Sequence, residues 1–282
     1  MVTSSRHHLR LPKGFTSVRE YADALVAFLR RYAWLWQHHA VDFFVVNYWE
    51  KTFPVEWRQL KEASTSYEDL LNLASHGTFK EEWPEDLKEF IRLSREIALP
   101  RDPKGDTFTQ EIQENSKPLD RKTIYGMTPK KKHEVQILSA VISAIASSTN
   151  TPNILDMGAG QGYLDAVLAY SYGLTVIGVD DDEVQTCGAI RRSDTIAKMF
   201  KNHGGSFGKL RHINRRVGVG ETFADLLKEG TQDSTIPEPS TPSSPDTDTH
   251  ERWMLCGLHT CGDLASSSIR HFLQSTATVL VS

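Results

Sequence analysis

Cysteine is scarce in this chain. Its 282 residues hold three, Cys187, Cys256 and Cys261, too few for a disulfide framework, which points to a reducing, intracellular compartment, cytoplasmic or nuclear. Long apolar runs are missing as well. The opening stretch MVTSSRHHLRLPKGF offers no apolar core for a signal peptide or a membrane span, and it is too short and too interrupted for a transit peptide. Charge of one sign is not in excess: 32 Lys and Arg against 36 Asp and Glu leave a net charge of −4, which removes any whole-chain argument for nucleic acid. What remains is an ordinary globular composition, 39% hydrophobic and 24% charged, in a length that holds one large core or two modest ones.

The segment NILDMGAGQGYLDAVLAYSYGLTVIGVDDD, from Asn153 to Asp182, reads as strand, glycine-rich turn, helix, strand and acidic tip. Ile154 and Leu155 begin the apolar run. Gly158, Gly160 and Gly162 then supply a turn whose backbone can approach a ligand. Leu164, Val167, Leu168 and Tyr172 have the three-and-four spacing of a helix packed on a sheet. Thr175 to Val179 is a β-branched run ending in Asp180, so a right-handed β-α-β unit is expected, with its site at the carboxyl ends of the strands.

Charge and spacing bear on the ligand. A dinucleotide turn wants glycine or alanine where this chain has Tyr163, and it hands a pyrophosphate to the helix N-terminus. Asp156, at the mouth of the first strand, would repel a pyrophosphate and suit an ammonium group. S-adenosylmethionine has that ammonium and no phosphate, so Asp156, Gly158, Gly160 and Gly162 favour it over NAD. Asp180 would accept hydrogen bonds from the ribose of either. Asp181, Asp182 and Glu183 are read as a solvated cap of the next helix.

Two regions are expected. Residues 1–120 form a Trp-rich helical region with a linker, and 121–282 the α/β domain with a disordered insertion at about 230–250. Tyr21, Leu25, Phe28, Leu29 and Tyr32 share a helical face, and two further amphipathic helices are expected over Tyr67–Leu73 and Asp86–Leu99, the second begun by Trp83-Pro84. These aromatics are read as core. His38 and His39 are adjacent and point to different faces, against a shared metal. Thr128 is an N-cap with Pro129 in the first turn. Lys130, Lys131 and Lys132 follow, opposing the helix dipole. They are read as a solvated run or as a hold on an anionic acceptor such as RNA.

Trp253 to Leu258 reads as a buried strand delivering His259-Thr260-Cys261-Gly262-Asp263 to the rim of the glycine turn. His259 is a candidate general base, Asp263 its orienting partner, and Cys261 a packing residue or a nucleophile toward a pyrimidine ring. A zinc site from Cys256, His259 and Cys261 is disfavoured by cramped spacing.

LDMGAGQG, IGVDDD, MTPKKKHEV and GLHTCGDL together resemble the methyltransferase-like protein 25 family, which includes relatives labelled ribosomal RNA adenine dimethylase domain-containing. The resemblance implies a Rossmann-like class I methyltransferase sheet preceded by an all-α region, with S-adenosylmethionine as cofactor and an undefined acceptor. The label's adenine chemistry is not expected. His-Thr-Cys-Gly-Asp stands where enzymes of that type carry Asn or Asp followed by Pro-Pro and an aromatic. Thr278 to Val281 would be a fifth strand, and the family continues past it through a Gly-Cys-Cys-Tyr segment, so the sheet is expected to be truncated. An active methyltransferase and a non-catalytic binding or scaffold protein of the same fold are both open readings, with a dehydrogenase behind them.

Overall fold

The computed structural model describes residues 10–61, 65–100, 112, 114, 116–201, 207–218, 222–231 and 252–281. Of the expected insertion, only Gly230 and Thr231 fall within this set, at the end of a helix. The expected linker, residues 101–122, also lies mostly outside the described residues. The chain divides into two compact units, one of residues 5–104 and one of residues 105–282 with residues 1–4.

The first unit is helical. Helix α1 spans Val18–Arg31, α2 Tyr67–His76 and α3 Glu85–Ile97, with single helical turns at Ala33–Trp36, Tyr48–Lys51 and Val55–Arg58. Local chemistry sets the ends. Ser17 accepts from the Glu20 N–H, Ser66 and Asp69 form a reciprocal capping box, and Gly77 closes α2 in the left-handed region at φ 65°. Pro84 precedes α3 and Pro54 precedes the turn at Val55, where a missing N–H costs nothing. Trp57, Trp83, Leu87 and Ile91 form the buried centre, each contributing about 1.5–3 kcal/mol of burial. The Trp57 Nε1–H donates to Asp86 Oδ2 at 2.8 Å, which satisfies the indole inside that cluster. The stripe on α1 is narrower than its spacing suggested: Tyr21 and Tyr32 are buried, but Leu29 is 41% exposed. His38 stacks on Tyr48 at 4.2 Å between ring centroids.

The second unit is α/β. Strands β1 (Asn153–Met157), β2 (Thr175–Asp180), β3 (Leu210–Asn214), β4 (Trp253–Cys256) and β5 (Val279–Val281) form a parallel sheet in the order β3-β2-β1-β4-β5. Helices α4 (Pro129–Thr149), α5 (Tyr163–Tyr172), α6 (Glu183–Lys201), α7 (Phe223–Thr231) and α8 (Asp263–Gln274) accompany it. A parallel sheet must be covered on both faces, and strand alternation divides the apolar side chains between them. Ile154, Val176 and Met254 pack with Val135 and Ile142 of α4 and Val167 and Leu168 of α5. Leu155, Met157, Ile177, Val179 and Leu255 pack on the other side with Phe223, Leu226 and Leu227 of α7 and Leu264 and Phe272 of α8. Strand order reverses between β1 and β4, and in such sheets the crevice at the carboxyl ends there is where ligands bind. Among the described residues no helix is long and apolar enough to cross a membrane.

Candidate active site

A cavity of about 720 Å³ opens at that switch point, lined by the glycine turn, the acidic tip of β2, the segment after β3 and the loop after β4. The turn is folded back by backbone bonds: the N–H groups of Gly158 and Ala159 both donate to Val179 O, at 2.9 and 3.1 Å. The Gly160 N–H, one residue on, donates to Asp180 Oδ2 at 2.7 Å. Gly160 has φ +54°, and a Cβ on it would meet nothing within 4 Å. Its backbone faces open space in a conformation that L side chains rarely adopt.

Gly162 serves a different need. It caps α5 at φ +66°, and a Cβ on it would strike the ring of His212 from β3. Only the middle glycine of the three therefore leaves free room for a ligand. Gly158 sits in the left-handed region against Leu264 and the His259 carbonyl.

Asp156 reaches the cavity floor, yet it is 2% exposed. Burial and the neighbouring Asp165 push its carboxyl well above the ordinary range. The low-dielectric setting thus disfavours the charge of the expected bare carboxylate. Its Oδ1 has no hydrogen-bond partner. An ammonium donor arriving there would supply one.

The acids of the tip have different partners. Asp180 accepts from the Asp182 N–H through Oδ1 at 2.9 Å while Oδ2 holds Gly160, so its carboxylate ties the two loops together. Asp182 Oδ1 accepts from the N–H groups of Val184 and Gln185, at 2.8 and 3.1 Å. It caps α6 where a carboxylate suits the dipole.

His259, Cys261 and Asp263 all line the cavity. The structure does not pair His259 with Asp263. Lys131 Nζ, from the first turn of α4, lies 2.8 Å from His259 Nε2, and Glu134 Oε2 lies 3.5 Å from the same nitrogen. An ammonium has only hydrogens to offer, so Nε2 is the acceptor in this contact. Glu134 is 3.1 Å from Lys131 and 3.3 Å from Lys130, and those cations hold its carboxyl below the ordinary range. This acid answers the cost of lysines at a helix N-terminus. Cys256, beside Asp156 in the sheet, is buried and its thiol is pushed up by burial, which makes it a packing group. Cys261 is exposed. Among the described residues no group of three His, Cys, Asp or Glu side chains could hold a metal ion.

Two features escaped sequence reading. The Tyr163 hydroxyl donates to Gly126 O at 3.0 Å, and the Arg192 guanidinium lies over the Tyr163 ring at 4.0 Å. Together they pin the segment entering α4, the helix whose first turn carries Lys131. Arg215, Arg216 and Val217, leaving β3, line the cavity. They follow β3, whose sequence Leu-Arg-His-Ile-Asn is too mixed to give a strand signal.

A family model described as a methyltransferase domain matches residues 130–282, more than half of the chain. The chain belongs to this methyltransferase-domain family. Its parallel sheet, with the order found here, is the Rossmann-like class I arrangement the resemblance implied. That resemblance is also borne out by curated relatives. The chain is similar to a human protein named probable methyltransferase-like protein 25, 26% identical over 245 residues and covering 76% of this chain and 38% of that one. It is similar to the mouse protein of the same name, 27% identical over 207 residues, covering 64% and 34%. The chain thus spans little more than a third of the length of these relatives. Among solved structures it is similar to coclaurine N-methyltransferase bound to N-methylheliamine and SAH (13% identity, 79% and 60% covered, TM-score 0.34). Another is magnesium protoporphyrin IX methyltransferase from Synechocystis PCC 6803 with bound SAH (15%, 64% and 61%, 0.30). Both are distant, and the fold assignment rests on the strand order and the family model.

Proposed function

We propose that this chain is an S-adenosylmethionine-dependent methyltransferase that holds its cofactor in the cavity at the β1–β4 switch point. The observation that carries the reading is the Gly160–Asp180 hydrogen bond at 2.7 Å, beside a glycine that is open to the cavity and above an Asp156 Oδ1 without a partner. The residues present fit the group. Asp156 offers an acceptor to an ammonium, Asp180 has lone pairs left for ribose hydroxyls, and Gly160 leaves the turn open to close approach, with Gly158 and Gly162 shaping it from behind. No phosphate is called for, and the carboxylates of Asp180, Asp181 and Asp182 around the turn oppose one.

When bound, the cofactor supplies a methyl group on a positively charged sulfur. The chain's part is to exclude water, orient the acceptor and manage its proton. His259 is the group at the rim able to take that proton, at Nε2, once Lys131 swings away or is displaced by the acceptor. Cys261 and Asp263 shape the mouth beside it. An RNA acceptor, expected from Lys130, Lys131 and Lys132, would meet Lys131 at the cavity, while Lys130 stands outside it paired with Glu134.

One observation favours a second reading. The lone pair of His259 Nε2 is taken up by the Lys131 ammonium, so a chain that binds the cofactor but transfers nothing would look the same here. Thermal unfolding separates cofactor binding from its absence. S-adenosylhomocysteine at 100-fold its dissociation constant should raise stability by about 2.7 kcal/mol, with NAD giving no shift. An equal response to both ligands would reject the cofactor assignment.

A further inference from the structure

A row of polar side chains crosses the sheet beneath the glycine turn. Strand register puts Cys256 of β4 beside Asp156 of β1, Asp156 beside Gly178 of β2, and Gly178 beside His212 of β3. These positions share one face of the sheet, the face covered by α5. The missing side chain of Gly178 leaves a gap in the row, and Asp165 of α5 fills it: a Cβ on Gly178 would strike Asp165 Oδ2 and the His212 ring. His212 Nε2 lies 3.0 Å from Asp165 Oδ2, with side chains 2% and 0% exposed. Two of the glycines around the turn, Gly162 and Gly178, are thus shaped to admit the Asp165–His212 pair.

Such a row is costly. Asp156 Oδ1, Asp165 Oδ1 and His212 Nδ1 are all buried without partners, at about 1–3 kcal/mol for each unmet group. An apolar row would be cheaper, so the groups call for a role. Resting on the cofactor reading above, we infer that Asp165 and His212 are positioning residues that keep Asp156 protonated in the free chain and let that proton leave to solvent when an ammonium-bearing cofactor reaches it.

The charges around Asp156 support this from every strand. Two carboxyls in one buried site disfavour each other's charge, so a proton on Asp156 relieves the pair. Burial raises Asp165 to about 7, with Asp180 of β2 pushing the same way. Burial drives His212 down to about 4, so its imidazole is neutral and Nε2–H donates to Asp165. The Cys256 thiol donates to Asp156 and favours the ionised form. An incoming ammonium brings the positive charge that the row lacks. The O–H bond of Asp156 breaks, the proton passes to buffer, and a carboxylate–ammonium pair forms.

Calorimetric titration of the chain with S-adenosylhomocysteine, in two buffers of different ionisation enthalpy and at several pH values, tests it. The expected result is release of up to one proton per ligand on the acidic side, falling toward zero as pH rises. Affinity should rise about tenfold per pH unit on the acidic side and then level off. Asp165→Asn, whose amide donates to Asp156 and so favours its ionised form, should remove both the release and the slope. In the free wild-type protein, which needs no variant to fold, carboxyl carbon resonances of two Asp residues should titrate above pH 6. Binding with no buffer dependence, or all Asp residues titrating below pH 5, overturns the inference and leaves the cofactor reading standing. No binding at any pH overturns both.

Discussion

Asp180 accepts the Gly160 N–H at 2.7 Å, so the acid at the end of one strand holds the glycine turn at the end of its neighbour. The same carboxylate that would meet the ribose also sets the height of the turn beneath it. Loss of the side chain therefore removes a ligand contact and loosens the loop at once. Asp180→Asn keeps one acceptor oxygen and should lose about tenfold in cofactor affinity, on the scale of one charge-assisted hydrogen bond. Equal affinity in variant and wild type, by equilibrium dialysis, would argue against a ligand role for Asp180.

Substituting Gly178 by Ala should destabilise the fold. The added methyl meets Asp165 Oδ2, His212 and the Cβ of Ala159 in the glycine turn, and overpacking of this kind costs about 1–3 kcal/mol. Gly160→Ala meets no atom and should cost about 1 kcal/mol, from its positive φ alone. Urea unfolding of the two variants should rank Gly178→Ala as the less stable. The reverse order would mean that the buried row is not packed as described.

Stability should also carry the mark of the buried acid. Asp165 is raised to about 7 in the fold from about 3.9 in the unfolded chain. The folded state then holds the proton longer, and this group's contribution is lost as pH rises from about 4 through 7. His212 acts oppositely. Lowered to about 4 from about 6.5, it costs stability as pH falls below that unfolded value. Asp165→Asn removes the first effect and lessens the parallel one at Asp156, so its melting temperature relative to wild type should be more favourable at pH 8 than at pH 5. A difference that does not vary with pH would contradict the assignment.

Lys131 is predicted to govern His259. Lys131→Met removes the ammonium that occupies Nε2 and frees the lone pair. If His259 takes the acceptor's proton, methyl transfer to an identified acceptor should fall about 10²–10⁴-fold in His259→Ala and change its pH profile in Lys131→Met. If the chain only binds, neither variant alters anything beyond acceptor affinity.

Much of this was legible in the sequence, and the reasons differ by feature. The glycine turn, Asp180, the Thr128 cap with Pro129, and the capped helices are local: a backbone conformation or an orphan N–H demands a residue type within a few positions. The row Cys256–Asp156–Gly178–His212 is not local. It exists only once parallel register aligns four strands drawn from across the second unit. Its traces were a single acid in the apolar run of α5 and a glycine inside the β-branched run of β2. Lys131 and His259 stand 128 positions apart, and spacing arguments paired His259 with nearby Asp263 instead. The apolar stripe on α1 was read too wide because spacing gives a face, whereas burial depends on what covers it.

The most direct test of the central claim is calorimetric titration of the chain with S-adenosylhomocysteine, with NAD as control and Asp180→Ala as the site variant. The account predicts one-site binding of S-adenosylhomocysteine, none of NAD, and a loss of about 10- to 100-fold in the variant. Absence of binding by a chain that unfolds cooperatively, or binding that Asp180→Ala leaves unchanged, would contradict it.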